Sequence, residues 1–109
     1  MKNLDGKVAI VTGAATGIGY GISKRLANDG ANLVMVDLDA NMMEQSASEI
    51  AARTQEVKIS IGDVSEPKTA QEAVNKAINE WGKIDILVNN AGIGGVNGNI
   101  WELDVEEMD

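Results

Sequence analysis

Three glycines form the first group of residues whose types and spacing could do chemistry. Gly13, Gly17 and Gly19 follow a short apolar run in the pattern G-x-x-x-G-x-G. Glycines allow a tight turn in which a phosphate can approach the backbone, and the N–H groups at the start of a following helix stabilise negative oxygens. No Lys-Ser/Thr pair follows the last glycine, so the pattern differs from a P-loop. The turn alone fits a structural role as well as it fits a phosphate site.

An acidic residue favours the phosphate interpretation. Asp37 ends the second apolar run and lies 18 residues after Gly19. A carboxylate there can accept hydrogen bonds from both hydroxyls of an adenosine ribose, and it would repel a 2′-phosphate. Neither residues 14–16 nor residues 38–40 include Arg or Lys. These features indicate NAD as the cofactor, not NADP. The alternative is that Asp37 only opens a loop or shares helix capping with Asp39.

Four apolar runs predict the strands that must position these residues. They are Val8–Val11, Leu33–Val36, Val57–Ile61 and Ile84–Val88. Polar residues alternate with apolar ones in the third run, which is typical of a half-exposed edge strand. Helical patterns separate the runs, and strands that alternate with helices predict a parallel sheet with right-handed crossovers.

Apolar spacing predicts which face of each helix is buried. In the first helix, which we expect to end near Asp29, Ile18, Ile22 and Leu26 share one face. Tyr20 and Lys24 would then lie on the solvent-facing side.

The second and third helices have clearer start and stop signals. Asp39 or Asn41 can cap the second helix, whereas Ser65 can cap the third, with Pro67 in its first turn and Gly82 at its end. The expected buried stripes are Met43, Ala47, Ile50 and Ala51 in the second helix, and Ala70, Ala73, Val74, Ala77, Ile78 and Trp81 in the third.

The composition limits the classes of protein to which this chain can belong. The chain has 109 residues, enough for one domain, and its net charge of −8 argues against nucleic-acid binding. It has no cysteine and no histidine, which excludes disulfides, zinc thiolate sites and a cysteine nucleophile, and we expect no metal site. The start shows no apolar signal core and no run reaches the length of a membrane span. We therefore predict a soluble, cytoplasmic protein without a membrane partner.

Three short motifs together resemble the short-chain dehydrogenase/reductase family. They are TGAATGIG at Thr12–Gly19, DV at Asp63–Val64 and NNAG at Asn89–Gly92, in the family's order and spacing. The resemblance extends over Lys7–Asp109. It implies an α/β fold with a Rossmann-type doubly wound parallel sheet, four strands in the order 3-2-1-4, and a single NAD(P)-binding domain over residues 1–109.

The resemblance also implies a set of cofactor-binding residues. They are Gly13, Thr16, Gly17, Ile18, Gly19, Asp37, Leu38, Asp63, Val64, Asn90, Ala91 and Gly92. The turn would hold the pyrophosphate, Asp37 and Leu38 the adenosine ribose, and Asp63 and Val64 the adenine. Residues 90–92 would line the path to the nicotinamide ribose. Thr12 and Asn89 are expected to be structural.

The sequence YGISK has the family's Tyr-x-x-x-Lys spacing but the wrong position. Tyr20 and Lys24 lie directly after the glycine turn, whereas the family's catalytic pair lies on a later helix, with a serine before it. We therefore predict no catalytic residue within these 109 residues and no activity for this chain alone. Asp104 and Glu107 resemble a capping box, so the chain is expected to stop at the start of the helix after strand four.

Two functions remain open at this point. The first is an NAD-dependent oxidoreductase that moves a hydride between the cofactor and an alcohol or ketone (a polyol, sugar, diketone or 3-oxoacyl compound), represented by its cofactor-binding half. By resemblance the complete enzyme would be a homo-oligomer, a tetramer or dimer. The alternative is a non-catalytic dinucleotide-binding module that pairs through the open sheet edge at Ile84, Ile86 and Val88.

Overall fold

Strands and helices alternate along the chain in the computed structural model, which describes residues 3–15, 17–52 and 56–90. The elements are β1 (Val8–Thr12), α1 (Gly17–Asn28), β2 (Asn32–Asp37), α2 (Ala40–Ala51), β3 (Val57–Ile61), α3 (Pro67–Trp81) and β4 (Ile86–Val88).

The sheet is parallel and has the strand order β3-β2-β1-β4. In β1, residues 8–12 lie opposite residues 32–36 of β2, and residues 9–11 lie opposite residues 86–88 of β4. Every residue of β1 is buried, as a strand with neighbours on both sides and helices on both faces should be. The predicted α/β Rossmann-type sheet and its 3-2-1-4 order are confirmed, and β3 lies at the edge as expected.

Two apolar layers cover the two faces of the sheet. Val8 and Ile10 of β1 pack with α3, whereas Ala9 and Val11 pack on the opposite face, which α1 and α2 cover. This alternation follows from the two-residue period of a strand. The three layers leave the carboxyl ends of the strands open at one edge of the sheet.

The buried face of α1 differs from the prediction. Gly19, Ser23 and Ala27 form the buried stripe, whereas Ile18 is 66% exposed. Hydrophobic spacing favoured the large side chains, but a Cβ at Gly19 would overlap the Gly13 carbonyl, so the helix packs closely there and this face carries small residues. Leu26 packs partly against the core, as expected.

The start signals were correct for α2 and wrong for α3. Asp39 caps α2, and its carboxylate accepts from the Met42 backbone N–H at 3.0 Å. The N-cap of α3 is Glu66, without a side-chain capping bond, because the Ser65 hydroxyl bonds backwards to Asp63.

The predicted buried stripes and stop signals largely agree with the structure. The stripe of α3 packs against the core, and Gly82 closes this helix in the left-handed conformation. In α2, Met43 and Ile50 are buried, but Ala51 is exposed because it faces away from the sheet.

Asp85 joins β1 and β4 at their amino ends. Its carboxylate accepts from the Val8 N–H at 2.9 Å, and its own N–H donates to the Val8 carbonyl at 2.8 Å. Lys83 lies 3.1 Å from the same carboxylate. Burial raises the pKa of Asp85, but the Val8 N–H and the Lys83 ammonium favour the charged form and leave the pKa below its usual value.

Candidate functional site

A cleft of about 130 Å³ opens where the carboxyl ends of β1, β2 and β3 meet. It is lined by Gly13, Asp37, Leu38, Gly62, Asp63 and Val64. All but Gly62 were predicted as site residues, and they come from three separate segments of the chain. The topology brings them together because the ends of adjacent parallel strands lie at the same edge of the sheet.

The glycine turn needs glycine for two different reasons. Gly13 and Gly17 have positive φ angles of 61° and 60°, a conformation that other residues rarely adopt. Gly19 has no such angle, but a Cβ there would lie 1.9 Å from the carbonyl oxygen of Gly13 and 2.9 Å from the Asn90 side-chain nitrogen. The turn is therefore packed directly against the start of α1.

The amino end of α1 is suited to a negative ligand. The helix begins at Gly17, and its first turn contains no acidic residue. The first N–H groups of a helix have no partners within the helix, and the helix dipole makes that end positive. A Cβ added at Gly17 would meet no atom within 4 Å, so the space beside the turn is open.

Backbone N–H groups orient the Asp37 carboxylate. One oxygen accepts from the Ala15 N–H at 3.0 Å. The other accepts from the N–H groups of Leu38 and Asp39, at 2.7 and 3.3 Å. A carboxylate has about four acceptor positions, so Asp37 keeps capacity for a ligand hydroxyl while it holds the turn.

Asp63 is held in a similar way on the other side of the cleft. Its carboxylate accepts from the Ser65 hydroxyl at 2.7 Å and from the Ser65 N–H at 2.9 Å. These two bonds lower the pKa of Asp63, although burial opposes them, so the group is a charged acceptor at neutral pH.

Sequence reasoning missed Gly62 and Ser46. Gly62 lets Thr69 of α3 approach, because a Cβ there would lie 2.7 Å from the Thr69 hydroxyl oxygen. The Ser46 hydroxyl, on the buried face of α2, donates to the Ala15 carbonyl at 2.5 Å. Neither contact has a local signal, because each depends on how two elements of the fold pack together.

The large apolar side chains that stay exposed among the described residues gather at this same edge. Ile18 and Leu38, both 66% exposed, flank the glycine turn and the end of β2, and Met42 and Ile61 lie in the first turn of α2 and at the end of β3. Exposed apolar side chains that cluster in this way are typical of a binding surface.

The segment after β4 contacts the glycine turn. The Thr12 hydroxyl lies 3.3 Å from the Val88 carbonyl and 3.3 Å from the Asn89 side-chain oxygen, and so joins β1 to β4. Asn90 donates its side-chain N–H to the Gly13 carbonyl at 3.5 Å.

Several predicted positions lie outside the described residues. Thr16, Ala91 and Gly92 of the predicted site are among them, as are the predicted loop and capping box of residues 93–109.

Tyr20 and Lys24 do not belong to this cleft. The Tyr20 hydroxyl donates to the Glu49 carboxylate of α2 at 2.5 Å, and its ring packs partly against the core. Both residues line a separate surface groove with Glu49 and Ala52. Tyr20 is thus half-buried between two helices, which corrects the expectation of a solvent-facing side chain.

Within residues 3–15, 17–52 and 56–90, acidic side chains form no group that could hold a metal ion. No helix there has both the length and the apolar character needed to cross a membrane.

The chain is similar to known dehydrogenases and reductases. The sequence model for the family described as short chain dehydrogenase matches residues 7–109. The chain is 37% identical over 107 residues to 1-deoxy-11-beta-hydroxypentalenate dehydrogenase of Streptomyces exfoliatus, a match that covers 97% of this chain. It is 40% identical over 102 residues to the (S)-acetoin-forming diacetyl reductase of Staphylococcus epidermidis, covering 94%. In both cases the matched region spans 39% of the relative.

A solved structure has the same arrangement of elements. It is the 3-ketoacyl-(acyl-carrier-protein) reductase of Brucella melitensis complexed with NADH, with a TM-score of 0.75 and 43% sequence identity. The match covers 83% of this chain and 36% of the other.

Proposed function

Because the chain belongs to the short-chain dehydrogenase family, we propose that its cleft binds NAD and that the protein takes part in hydride transfer to or from an alcohol or ketone. The observation that carries the proposal is the cleft itself, in which residues from the ends of three strands line one space beside the open amino end of α1. A nicotinamide cofactor supplies a hydride or accepts one.

The polar groups of the cleft match an adenosine diphosphate. The turn from Gly13 to Gly19 and the N–H groups at the start of α1 would hold the pyrophosphate. Asp37 offers a carboxylate to the ribose hydroxyls, and Asp63 offers a charged acceptor to the adenine amino group. Leu38 and Val64 supply apolar contacts for the ring.

The proposed roles of the remaining predicted residues follow from their positions. Ile18 is exposed at the mouth of the turn, where it would cover the cofactor beyond the pyrophosphate. Thr16, Asn90, Ala91 and Gly92 are proposed to contact the cofactor between the pyrophosphate and the nicotinamide ribose.

The choice of NAD over NADP rests on Asp37. Its charged carboxylate would repel a 2′-phosphate, and neither residues 14–16 nor residues 38–40 include Arg or Lys to compensate. The NADH bound to the Brucella reductase is consistent with this preference.

The activity of the whole protein is part of the same proposal, because the matched region spans 39% of the two relatives. We propose that residues 1–109 form the amino-terminal part of the cofactor-binding domain and contain no catalytic residue. The protein would be cytoplasmic and, when complete, would act as a homo-oligomer on a small alcohol or ketone.

Titration calorimetry with NAD and NADP tests the proposal. We expect binding of one NAD per chain and markedly weaker binding of NADP. If neither dinucleotide binds, the proposal is wrong. NAD binding without conversion of any alcohol or ketone by the full-length protein would favour a non-catalytic binding module.

A further inference from the structure

The backbone of Ala15 is held from two sides by groups outside the glycine turn. Its N–H donates to Asp37 at the end of β2, at 3.0 Å. Its carbonyl accepts from the Ser46 hydroxyl of α2, at 2.5 Å. Ala15 itself is 3% exposed, so water does not replace either partner easily.

Ser46 is an unusual residue for its place in α2. The buried positions around it are apolar, Met43 and Ile50, and Ser46 is only 6% exposed. A buried hydroxyl needs a hydrogen-bond partner. Ser23 of α1 finds one in its own helix, the Gly19 carbonyl, whereas Ser46 reaches a carbonyl 31 residues earlier in the chain.

The direction of the Ala15 carbonyl matters for an anion in the turn. The bond from Ser46 aims the carbonyl oxygen at α2. The dipole of a carbonyl that turned towards the phosphates would repel them, whereas N–H groups attract them. Without the Ser46 hydroxyl, the buried Ala15 carbonyl loses a hydrogen-bond donor. The bond that fixes the direction of this carbonyl is then absent.

We infer that Ser46 is a positioning residue for the pyrophosphate of the dinucleotide. It acts through the Ala15 peptide and does not touch the ligand. This inference rests on the proposed NAD binding. It adds a residue to that proposal, because Ser46 lies on the buried face of α2, which none of the three sequence motifs includes.

A comparison of ligands with and without a pyrophosphate shows whether Ser46 positions the phosphate-binding turn or only stabilises the fold. Affinities of NAD and ADP-ribose are measured by calorimetry, and that of adenosine by ligand-observed NMR, for the full-length protein and its variants. We expect Ser46→Ala to weaken NAD and ADP-ribose by roughly three- to tenfold, the effect of losing one hydrogen bond. Adenosine, which reaches only the side of the cleft formed by Asp37 and Asp63, should bind as before.

Two further variants complete the test. Ser46→Thr keeps the hydroxyl and should retain most of the NAD affinity. Ser23→Ala also removes a buried serine hydroxyl from a helix, but it leaves the Ala15 peptide in place and should change no affinity. If Ser46→Ala does not fold, Ser46→Cys replaces it, because a thiol is a weaker donor of similar size.

The possible outcomes distinguish the two proposals. If the unmodified protein binds none of the three ligands, the proposed function is wrong and the inference is overturned with it. If the protein binds NAD but Ser46→Ala leaves all affinities unchanged, or weakens all three ligands equally, the inference alone is overturned.

Discussion

At the residue scale, the side chain at position 19 is limited by space and not by backbone conformation. Gly19 has a normal helical φ angle, yet a Cβ there would overlap the Gly13 carbonyl. Two residues later, a Cβ at Gly21 would meet no atom within 4 Å. The same substitution should therefore have opposite effects at the two positions.

We predict that Gly19→Ala lowers the free energy of unfolding by about 1 to 3 kcal/mol, the usual cost of overpacking. Gly21→Ala should raise it by about 0.5 to 1 kcal/mol, because alanine is the better helix former. Urea unfolding of both variants checks the difference. Equal effects at the two positions would show that α1 does not lie against the turn as described.

Asp37 gives a second prediction at this scale. Asp37→Arg should shift the ratio of NADP to NAD affinity by roughly ten- to hundredfold towards NADP, since one charged contact is lost and another is gained. Asp37 also holds the turn, so Asp37→Asn is the control that removes the charge but keeps one acceptor oxygen. We expect Asp37→Asn to weaken NAD without a matching gain for NADP. Unchanged selectivity in the Arg variant would contradict a contact with the ribose.

Part of the lining of the cleft was predictable because those residues lie where strands end. Gly13 and Asp37 lie at the ends of apolar runs, the family resemblance added Asp63, and the parallel topology brings the three together. Ser46 and Gly62 were not predictable, because the importance of each comes from a single contact with another element of the fold. A local pattern carries no information about such contacts.

At the scale of elements, α1 shows that hydrophobic spacing alone does not always predict the buried face of a helix. The spacing of Ile18 and Ile22 predicted the buried face, but Gly19 and Ser23 are the residues that face the sheet. Close packing requires small residues such as Gly and Ser. A prediction based on the spacing of large apolar side chains does not detect them. The stripe of α3 was predictable because its alanines and Val74 recur at helical spacing. The strand order was expected from the family resemblance, and the sheet has it.

The contacts of Asp85 between β1 and β4 should make the free energy of unfolding depend on pH. A carboxyl whose pKa is lower in the folded state contributes stability above its unfolded pKa and loses it as the pH falls through the folded pKa. Asp85 is such a group. We predict that Asp85→Asn lowers the free energy of unfolding at neutral pH. The difference from the unmodified protein should shrink below about pH 4.

Urea unfolding midpoints at neutral and acidic pH measure this effect. Glu72→Gln on the exposed face of α3 removes the same charge away from the contacts between β1 and β4, and it serves as the control. A difference for Asp85→Asn that stays constant from neutral to acidic pH would mean that the carboxylate does not stabilise these contacts.

At the scale of the whole molecule, burial is unevenly divided across the sheet. β1 and the central residues of β2 are buried, whereas β3 lies at the edge with most of its residues partly exposed. The amides of the best-packed strands open only with global unfolding, and those of edge strands open more locally.

We therefore predict that hydrogen exchange is slowest in β1 and β2 and clearly faster in β3. Exchange measured by NMR or mass spectrometry on the folded protein checks the order. Protection of β3 equal to that of β1 would indicate that another segment covers this edge.

The strand order has a consequence for how the molecule is made. β1 emerges from the ribosome before β2, β3 and β4, and its partner β4 follows much later, since Thr12 and Val88 are 76 residues apart. At translation rates of about 5 to 20 residues per second, β1 waits about 4 to 15 seconds for β4. During that interval β1, which is buried throughout in the folded sheet, has at least one uncovered edge, and we expect the nascent chain to be a target for chaperones that bind apolar segments.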